Sequence, residues 1–259
     1  MTIVLMMLIA AGAAIGFSIV GVWLGRRLLR GRVAAGHHEV LLAFLQTGGT
    51  LHAVFLAFLV VAVWQSYDAA RANVADEGSA LTTLYRESAG MEPTIGNSLR
   101  KLIREYVDAV IRDEWTIQAE TGGASSKARA ASLDMYRLFG REDPATKQQE
   151  SSIDEAALQL ISRIQYDRNK RTLEAAESLP VIIWFAAISS GVLALSMSFL
   201  LLMDQVMPQV IVTSMMAGMI ALLLCITSVL SRPFVGPLAL QPQPFAHSLE
   251  VFDSVDATP

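Results

Sequence analysis

The sequence contains little that would support redox, metal or nucleic-acid chemistry. Its 259 residues include one cysteine, Cys225, so the chain can form neither an internal disulfide nor a Cys-x-x-Cys redox motif. The formal net charge is −4 at pH 7, which gives no electrostatic basis for binding nucleic acid. Charged residues make up 17% of the chain and hydrophobic residues 53%, a composition on the membrane side of ordinary globular usage. We therefore expect a lipid bilayer as a partner, and no nucleic acid.

Motifs of catalysis are missing as well. The chain has no Gly-rich phosphate loop, no His-Glu-x-x-His pattern and no serine in a nucleophile elbow. His37 and His38 are adjacent in a basic segment, but a metal site needs three or four convergent ligands and no cysteine lies close by. We interpret these histidines as loop residues. The sequence thus predicts a protein that is not an enzyme and that binds no cofactor or metal.

Four long apolar runs account for the hydrophobic composition: residues 2–25, 41–64, 179–203 and 208–231. The second run holds 24 residues without a charged side chain. At about 1.5 Å per residue it can cross a hydrocarbon core of about 30 Å. In the first run the basic residues follow the apolar stretch instead of preceding it, which predicts a retained membrane helix and not a signal peptide. The last two runs are so close that they must form an antiparallel hairpin.

The second run continues without a break into an amphipathic helix. Apolar residues recur there in steps of three and four, the spacing of a seam that packs on a neighbouring helix: Val63, Tyr67, Ala70, Val74, Leu81 and Leu84. No proline occurs between Leu41 and Met91. The pattern predicts a single helix of more than 40 residues, half in lipid and half in water.

The segment after the second membrane run is also helical, because none of it shows the period-two alternation of a strand. Helical periodicity recurs in residues 95–118, 127–139 and 147–178, and Pro180 predicts a break before the third membrane run. We predict an all-α membrane protein with four transmembrane helices and a helical extramembrane domain between the second and third. The predicted organisation is residues 1–65 (two membrane helices and a basic loop), 66–178 (extramembrane domain), 179–231 (membrane hairpin) and 232–259 (Pro-rich tail).

The Pro-rich tail is expected to run irregularly along the surface. Its prolines argue against a regular element, and three aromatic residues are expected to fasten it: Phe234, Phe245 and Phe252.

The second membrane run carries a polar patch. Gln46, Gly49, Thr50 and Ala53 share one helix face by their spacing, and His52 is close to them in sequence. Polar groups are costly in hydrocarbon unless they bond within a bundle or face water. Two interpretations remain open: close packing with interhelical hydrogen bonds, or the wall of a water-filled pore. If a pore exists, these five residues are its predicted lining, and His52, with an ordinary pKa of about 6.5, is its predicted pH-sensitive group.

Two acidic residues fall in unexpected places. Glu77 lies on the otherwise apolar seam, and Glu114 directly precedes Trp115. Because a carboxylate is seldom buried without a partner, we expect Glu77 to bond a neighbouring arginine or to face water. A role for Glu77 in an ion path is the less favoured interpretation.

A string of short segments, spread over roughly residues 38–250, carries a family resemblance: Val63-Trp64-Gln65-Ser66-Tyr67-Asp68, Ala80-Leu81-Thr82-Thr83-Leu84-Tyr85-Arg86, Leu99-Arg100, Tyr106-Val107, Asp113-Glu114-Trp115, Arg232-Pro233-Phe234-Val235-Gly236 and Pro244-Phe245. These segments resemble the bacterial bestrophin-like membrane proteins. The resemblance implies four membrane helices, a helical insert and a relationship to bestrophin anion channels. None of the segments is catalytic.

One of these segments also marks a departure from true bestrophins. Pro233-Phe234 is similar to the Pro-Phe-Gly that opens their calcium clasp. In this chain it is followed by Val235-Gly236-Pro237-Leu238 and by no acidic run, so the calcium site is not expected.

Basic residues set the predicted orientation in the bacterial cytoplasmic (inner) membrane. Four arginines between Arg26 and Arg32 follow the first membrane run, and such clusters favour the cytoplasmic side. With four spans, both termini and the 66–178 domain then lie outside. The basic residues at positions 168–171 argue the other way, but long loops cross largely regardless of charge. True bestrophins keep their domain in the cytoplasm, which conflicts with this charge-based prediction.

Two functional hypotheses follow. In the first, the protein is a homo-oligomeric ion channel, anion-permeable, whose second helices line the pore and whose selectivity depends on pore radius and dipoles. In the second, it is a membrane-anchored scaffold or sensor whose helical domain binds a partner protein, and the polar patch only packs.

Overall fold

A computed structural model describes residues 3–29, 38–140, 152–201 and 205–257. Those residues form no β-strand, and the α-helices are α1 (Ile3–Leu29), α2 (His38–Glu87), α3 (Pro93–Ala109), α4 (Trp115–Thr121), α5 (Ser126–Gly140), α6 (Ser152–Ala176), α7 (Val181–Leu200), α8 (Val206–Leu230) and α9 (Gln243–Asp256). A π-helical turn, Val110–Glu114, joins α3 to α4. The predicted all-α class is confirmed. His37 and the end of the basic cluster, at residues 30–32, lie outside the described residues.

Four helices are long and apolar enough to cross a membrane, as predicted: α1, α2, α7 and α8. The predicted long rod is confirmed, because α2 runs for 50 residues without interruption. The break at Pro180 is confirmed too, since α6 ends at Ala176 and Pro180 caps the first turn of α7.

The chain divides into two compact units. The membrane unit comprises residues 1–66 and 179–231, and the helical unit comprises residues 67–178 and 232–259. Helix α2 contributes its first part to the membrane unit and its last part to the helical unit.

Glycines allow close helix contact within the membrane unit. Helix α8 packs along α1, and α7 packs against both. Gly21 and Gly25 of α1 lie against Phe199 of α7, so closely that a methyl group on Gly25 would lie 2.9 Å from the Phe199 carbonyl oxygen. Because no larger side chain fits there, the four-residue glycine spacing of α1 serves helix packing at this end. Gly12 and Gly16, at the other end, have no neighbour within 4 Å of a built methyl group.

The predicted seam of α2 forms one wall of the core of the helical unit. Val74, Leu81 and Leu84 are buried there, together with Leu99 and Ile103 of α3. Residues from α5, α6 and α9 complete the same cluster. The core of the helical unit is therefore built from one apolar stripe of each helix, and the seam of α2 is one of these stripes.

The tail prediction is wrong in one respect. Residues 243–256 are not irregular but form α9, because Pro242 is the N-cap residue and Pro244 lies in the first helical turn, where a missing N–H leaves no hydrogen bond unmade. The aromatic fastening is confirmed: Phe234, Phe245 and Phe252 are all buried. The Phe252 ring stacks on Tyr85 of α2 with 4.1 Å between ring centroids.

Ionic contacts also hold α9 in the helical unit. Arg104 Nη2 lies 2.9 Å from Asp253 Oδ1 and 2.8 Å from Asp256 Oδ2. The Tyr85 hydroxyl donates a hydrogen bond to Asp256, and this bond, with the charge of Arg104, lowers the pKa of Asp256. The end of the chain is therefore part of the folded helical unit.

Replacement of Leu81 by alanine should destabilise the helical unit by about 2–5 kcal/mol, because Leu81 is fully buried in the seam and its removal leaves a cavity. Guanidinium unfolding of the detergent-solubilised protein, followed by circular dichroism, measures this. Thr83→Ala, on the exposed side of the same helix, should change stability by about 0.5 kcal/mol or less. Equal effects of the two substitutions would contradict the buried seam.

Candidate functional site

The structure places four of the five predicted pore residues on one face of α2. Gln46, Thr50 and Ala53 are exposed in the isolated chain, and Gly49 is partly buried. The Thr50 hydroxyl donates to the Gln46 carbonyl oxygen over 2.7 Å. The Gln46 amide has no hydrogen-bond partner among the described residues. This face therefore carries an exposed polar group without a described partner, on a helix that is apolar enough to cross a membrane.

His52 lies on a different face of the same helix. Its side chain is 4% exposed and shares a buried stripe with Leu56, Leu59 and Val63. Its Nδ1 atom is 2.8 Å from the Ser190 hydroxyl of α7. The fifth predicted residue is therefore placed at the contact between α2 and α7, apart from the other four.

A buried ion-pair network lies in the helical unit, centred on Arg171 of α6. Arg171 is 0% exposed, and its Nε lies 2.7 Å from Glu77 Oε2 while its Nη2 lies 3.0 Å from Glu114 Oε1. Arg168 Nη2 approaches Glu114 Oε2 to 2.5 Å. The Tyr106 hydroxyl donates to Glu77. Two guanidinium groups thus offset two carboxylates in a site that water does not reach.

Neighbouring groups satisfy the remaining donors and faces of Arg171. Its Nη1 donates to Gln118 Oε1 over 3.0 Å, and its guanidinium lies 5.5 Å from the Trp115 ring centroid and 5.4 Å from that of Phe245. Burial lowers the pKa of Arg171, but the charge and hydrogen bond of Glu77, with the charges of Tyr106 and Glu114, together raise the pKa above its ordinary value. Burial and the Glu77 charge together raise the pKa of Tyr106 well above its usual value. Arg171 therefore stays charged.

The interpretation of Glu77 as the partner of an arginine is confirmed by this network. This arginine is not identified from the sequence, because Arg168 and Arg171 serve there only to predict orientation. Arg168 and Arg171 are three residues apart and therefore lie on one face of α6, and this spacing is the sequence feature that could have indicated a shared acidic partner. The partner of Glu114 is harder to predict from the sequence, since Glu114 ends a π-helical turn, Val110–Glu114, where side-chain directions depart from α-helical spacing.

Helices make up most of the described residues of both units, and four of these helices are apolar enough to cross a membrane, which defines an integral all-α membrane protein. Residues 12–245 match the family model of the Bestrophin-like domain. The match covers most of the chain, so the chain belongs to the Bestrophin-like family, as its short segments predicted. No match is found among curated proteins.

Solved structures share this fold. A bacterial Bestrophin homolog from Klebsiella pneumoniae superposes with a TM-score of 0.71 at 13% identity, covering 97% of this chain and 99% of that chain. A mutant of a bacterial Bestrophin homolog from the same organism gives a TM-score of 0.72 at 12% identity, with the same coverage. At such low identity these structures establish the architecture of four membrane helices and a helical unit.

Arg171→Met should destabilise the helical unit by about 3–5 kcal/mol, because it removes the cation paired with Glu77 and leaves Arg168 alone to balance two buried carboxylates. Denaturant unfolding in detergent tests this. The matched control is Arg112→Met, whose ion pair with Asp108 is exposed and should contribute about 0–1 kcal/mol. A loss at Arg171 as small as that at Arg112 would show that the network does not support the fold.

Proposed function

We propose that the protein is a homo-oligomeric ion channel, permeable to anions, with α2 lining the pore. Membership of the Bestrophin-like family supports this proposal. The observation that carries it is the face of Gln46, Gly49, Thr50 and Ala53, which the described residues leave largely exposed. Copies of the chain arranged around an axis would turn this face toward water and satisfy the Gln46 amide.

The chemistry of this face favours anions. From Leu41 to Trp64 the helix has no charged side chain, so no carboxylate attracts cations there. The Gln46 amide supplies N–H donors, which suit an anion, while Gly49 and Ala53 leave room for a hydrated path. Selectivity would then depend on pore radius and on these dipoles. His52 is not part of this lining in our proposal, because it packs against α7.

A second candidate function is a membrane-anchored scaffold or sensor. A groove of about 620 Å³ between α5 and α6 favours it, since two exposed tyrosines, Tyr136 and Tyr166, line this groove together with Leu133 and Arg137. Tyrosine and arginine are enriched where proteins bind one another. In this alternative the groove binds a partner protein and the polar face of α2 serves only assembly.

Gln46→Glu should shift the selectivity of the channel from anions toward cations, because it places a carboxylate on the proposed pore face. Reversal potentials across planar bilayers with unequal chloride concentrations measure this shift. Thr47→Glu is the matched control, since it adds the same charge about 100° further round the helix and should leave selectivity unchanged. Absence of any current from the purified wild-type protein would favour the scaffold instead.

We further propose that the protein lies in the bacterial cytoplasmic membrane with both termini and the helical unit outside. The arginines after the first span support this orientation. Ala130→Cys, at an exposed position of the helical unit and combined with Cys225→Ser, should react with a membrane-impermeant maleimide in intact cells. Labelling only after the cells are permeabilised would place the unit in the cytoplasm.

A further inference from the structure

The hydrogen bonds around His52 fix its protonated nitrogen. The Ser190 hydroxyl donates to the Ala186 carbonyl oxygen over 2.7 Å, so its oxygen is left to accept from His52. His52 Nδ1, 2.8 Å from that oxygen, must therefore carry the hydrogen. Both the neutral and the protonated ring can make this bond, and in the neutral ring Nε2 bears a lone pair.

The other ring edge lies in an apolar position. Nε2 is buried and has no hydrogen-bond partner among the described residues. A methyl group built on Gly191 of α7 would lie 3.4 Å from Nε2, and 3.3 Å from Ile220 Cγ2 of α8. The ring therefore packs tightly against Gly191, and the surface that Nε2 meets offers no acceptor.

No charged group faces this ring from the helices packed around it. Helix α7 contains no titratable side chain, and the titratable residue of α8, Cys225, lines a separate cleft toward α1. Within Leu41–Trp64 of α2, His52 is itself the one titratable residue. A protonated His52 would thus gain a positive charge and a second N–H donor, with neither a carboxylate nor a carbonyl to receive them.

We propose that His52 is a positioning residue that holds α2 against α7 only while its ring is neutral. Protonation leaves a positive charge and a second N–H donor without a partner at this contact, and separation of α2 from α7 exposes both to water. Acid therefore opens the α2–α7 contact. The functional consequence rests on the proposed pore role of α2: displacement of α2 lowers the anion current as the pH falls. A histidine facing the pore would instead raise that current.

The separation can be measured without any current. Leu51 of α2 and Leu193 of α7 form the two walls of a cleft of about 420 Å³ beside His52, and their side chains are 67% and 63% exposed. Spin labels on Leu51→Cys and Leu193→Cys, in a Cys225→Ser chain diluted with unlabelled protein in nanodiscs, report the distance between the helices. We expect a shift to longer distances from about pH 8 to about pH 5, on either side of the ordinary histidine pKa of about 6.5.

Two variants assign the shift to His52. His52→Gln keeps a donor for Ser190 and stays neutral, so its distances should not change with pH. His247→Gln, which replaces an exposed histidine of α9, should keep the full pH response. Ser190→Ala removes the acceptor of Nδ1 and should lengthen the distance already at about pH 8, which checks the contact independently of protonation.

The outcomes separate the two proposals. Unchanged wild-type distances, or an equal shift in His52→Gln, would overturn the positioning role whatever the current. A pH-dependent distance without current from any variant would support the positioning role and contradict the channel. A current that grows in acid, together with unchanged distances, would return His52 to the pore lining.

Discussion

The cost of leaving a polar group without a partner, away from water, is the constraint that shapes both units of this protein. In the helical unit it is met by pairing, because the Arg171 guanidinium is enclosed by Glu77, Glu114 and Gln118. In the membrane unit only one nitrogen of His52 has a partner: Nδ1 is bonded to Ser190, and Nε2 is buried without a hydrogen bond among the described residues. The Gln46 amide has no partner among the described residues and remains exposed.

Helix α2 is the element through which these solutions are combined. Its 50 residues carry the exposed polar face, the His52 contact and, further along, Glu77 and the buried seam. In a helix the spacing of residues sets the direction of their side chains, so these groups lie on different faces of α2. The ion-pair network and the seam bury the later part of this helix, whereas near His52 the side-chain hydrogen bond to α7 is the one to Ser190, beside apolar packing. The weaker contact is the natural place for a conformational response.

The helical unit also shows how a short C-terminal segment completes a core. Helix α9 adds Phe245 and Phe252 to the cluster and places Asp253 and Asp256 against Arg104. The Phe245 ring lies beside Arg171, so the tail and the ion-pair network support one another. The Bestrophin-like fold is retained at 12–13% identity to the Klebsiella pneumoniae structures, which indicates that pattern and packing, rather than particular residues, specify it.

The sequence by itself determined the elements that depend on local periodicity: the four apolar spans, the unbroken α2, the break at Pro180 and the all-α class. Apolar length and helical spacing act over neighbouring residues, so they can be read along the chain. Tertiary structure alone decided which residues meet. It separated His52 from Gln46, paired Glu77 with Arg171 across 94 positions, and ordered α9 despite its prolines. Those outcomes depend on contacts between helices that are distant in sequence and on the π-helical turn that ends at Glu114, and neither follows from a local sequence pattern.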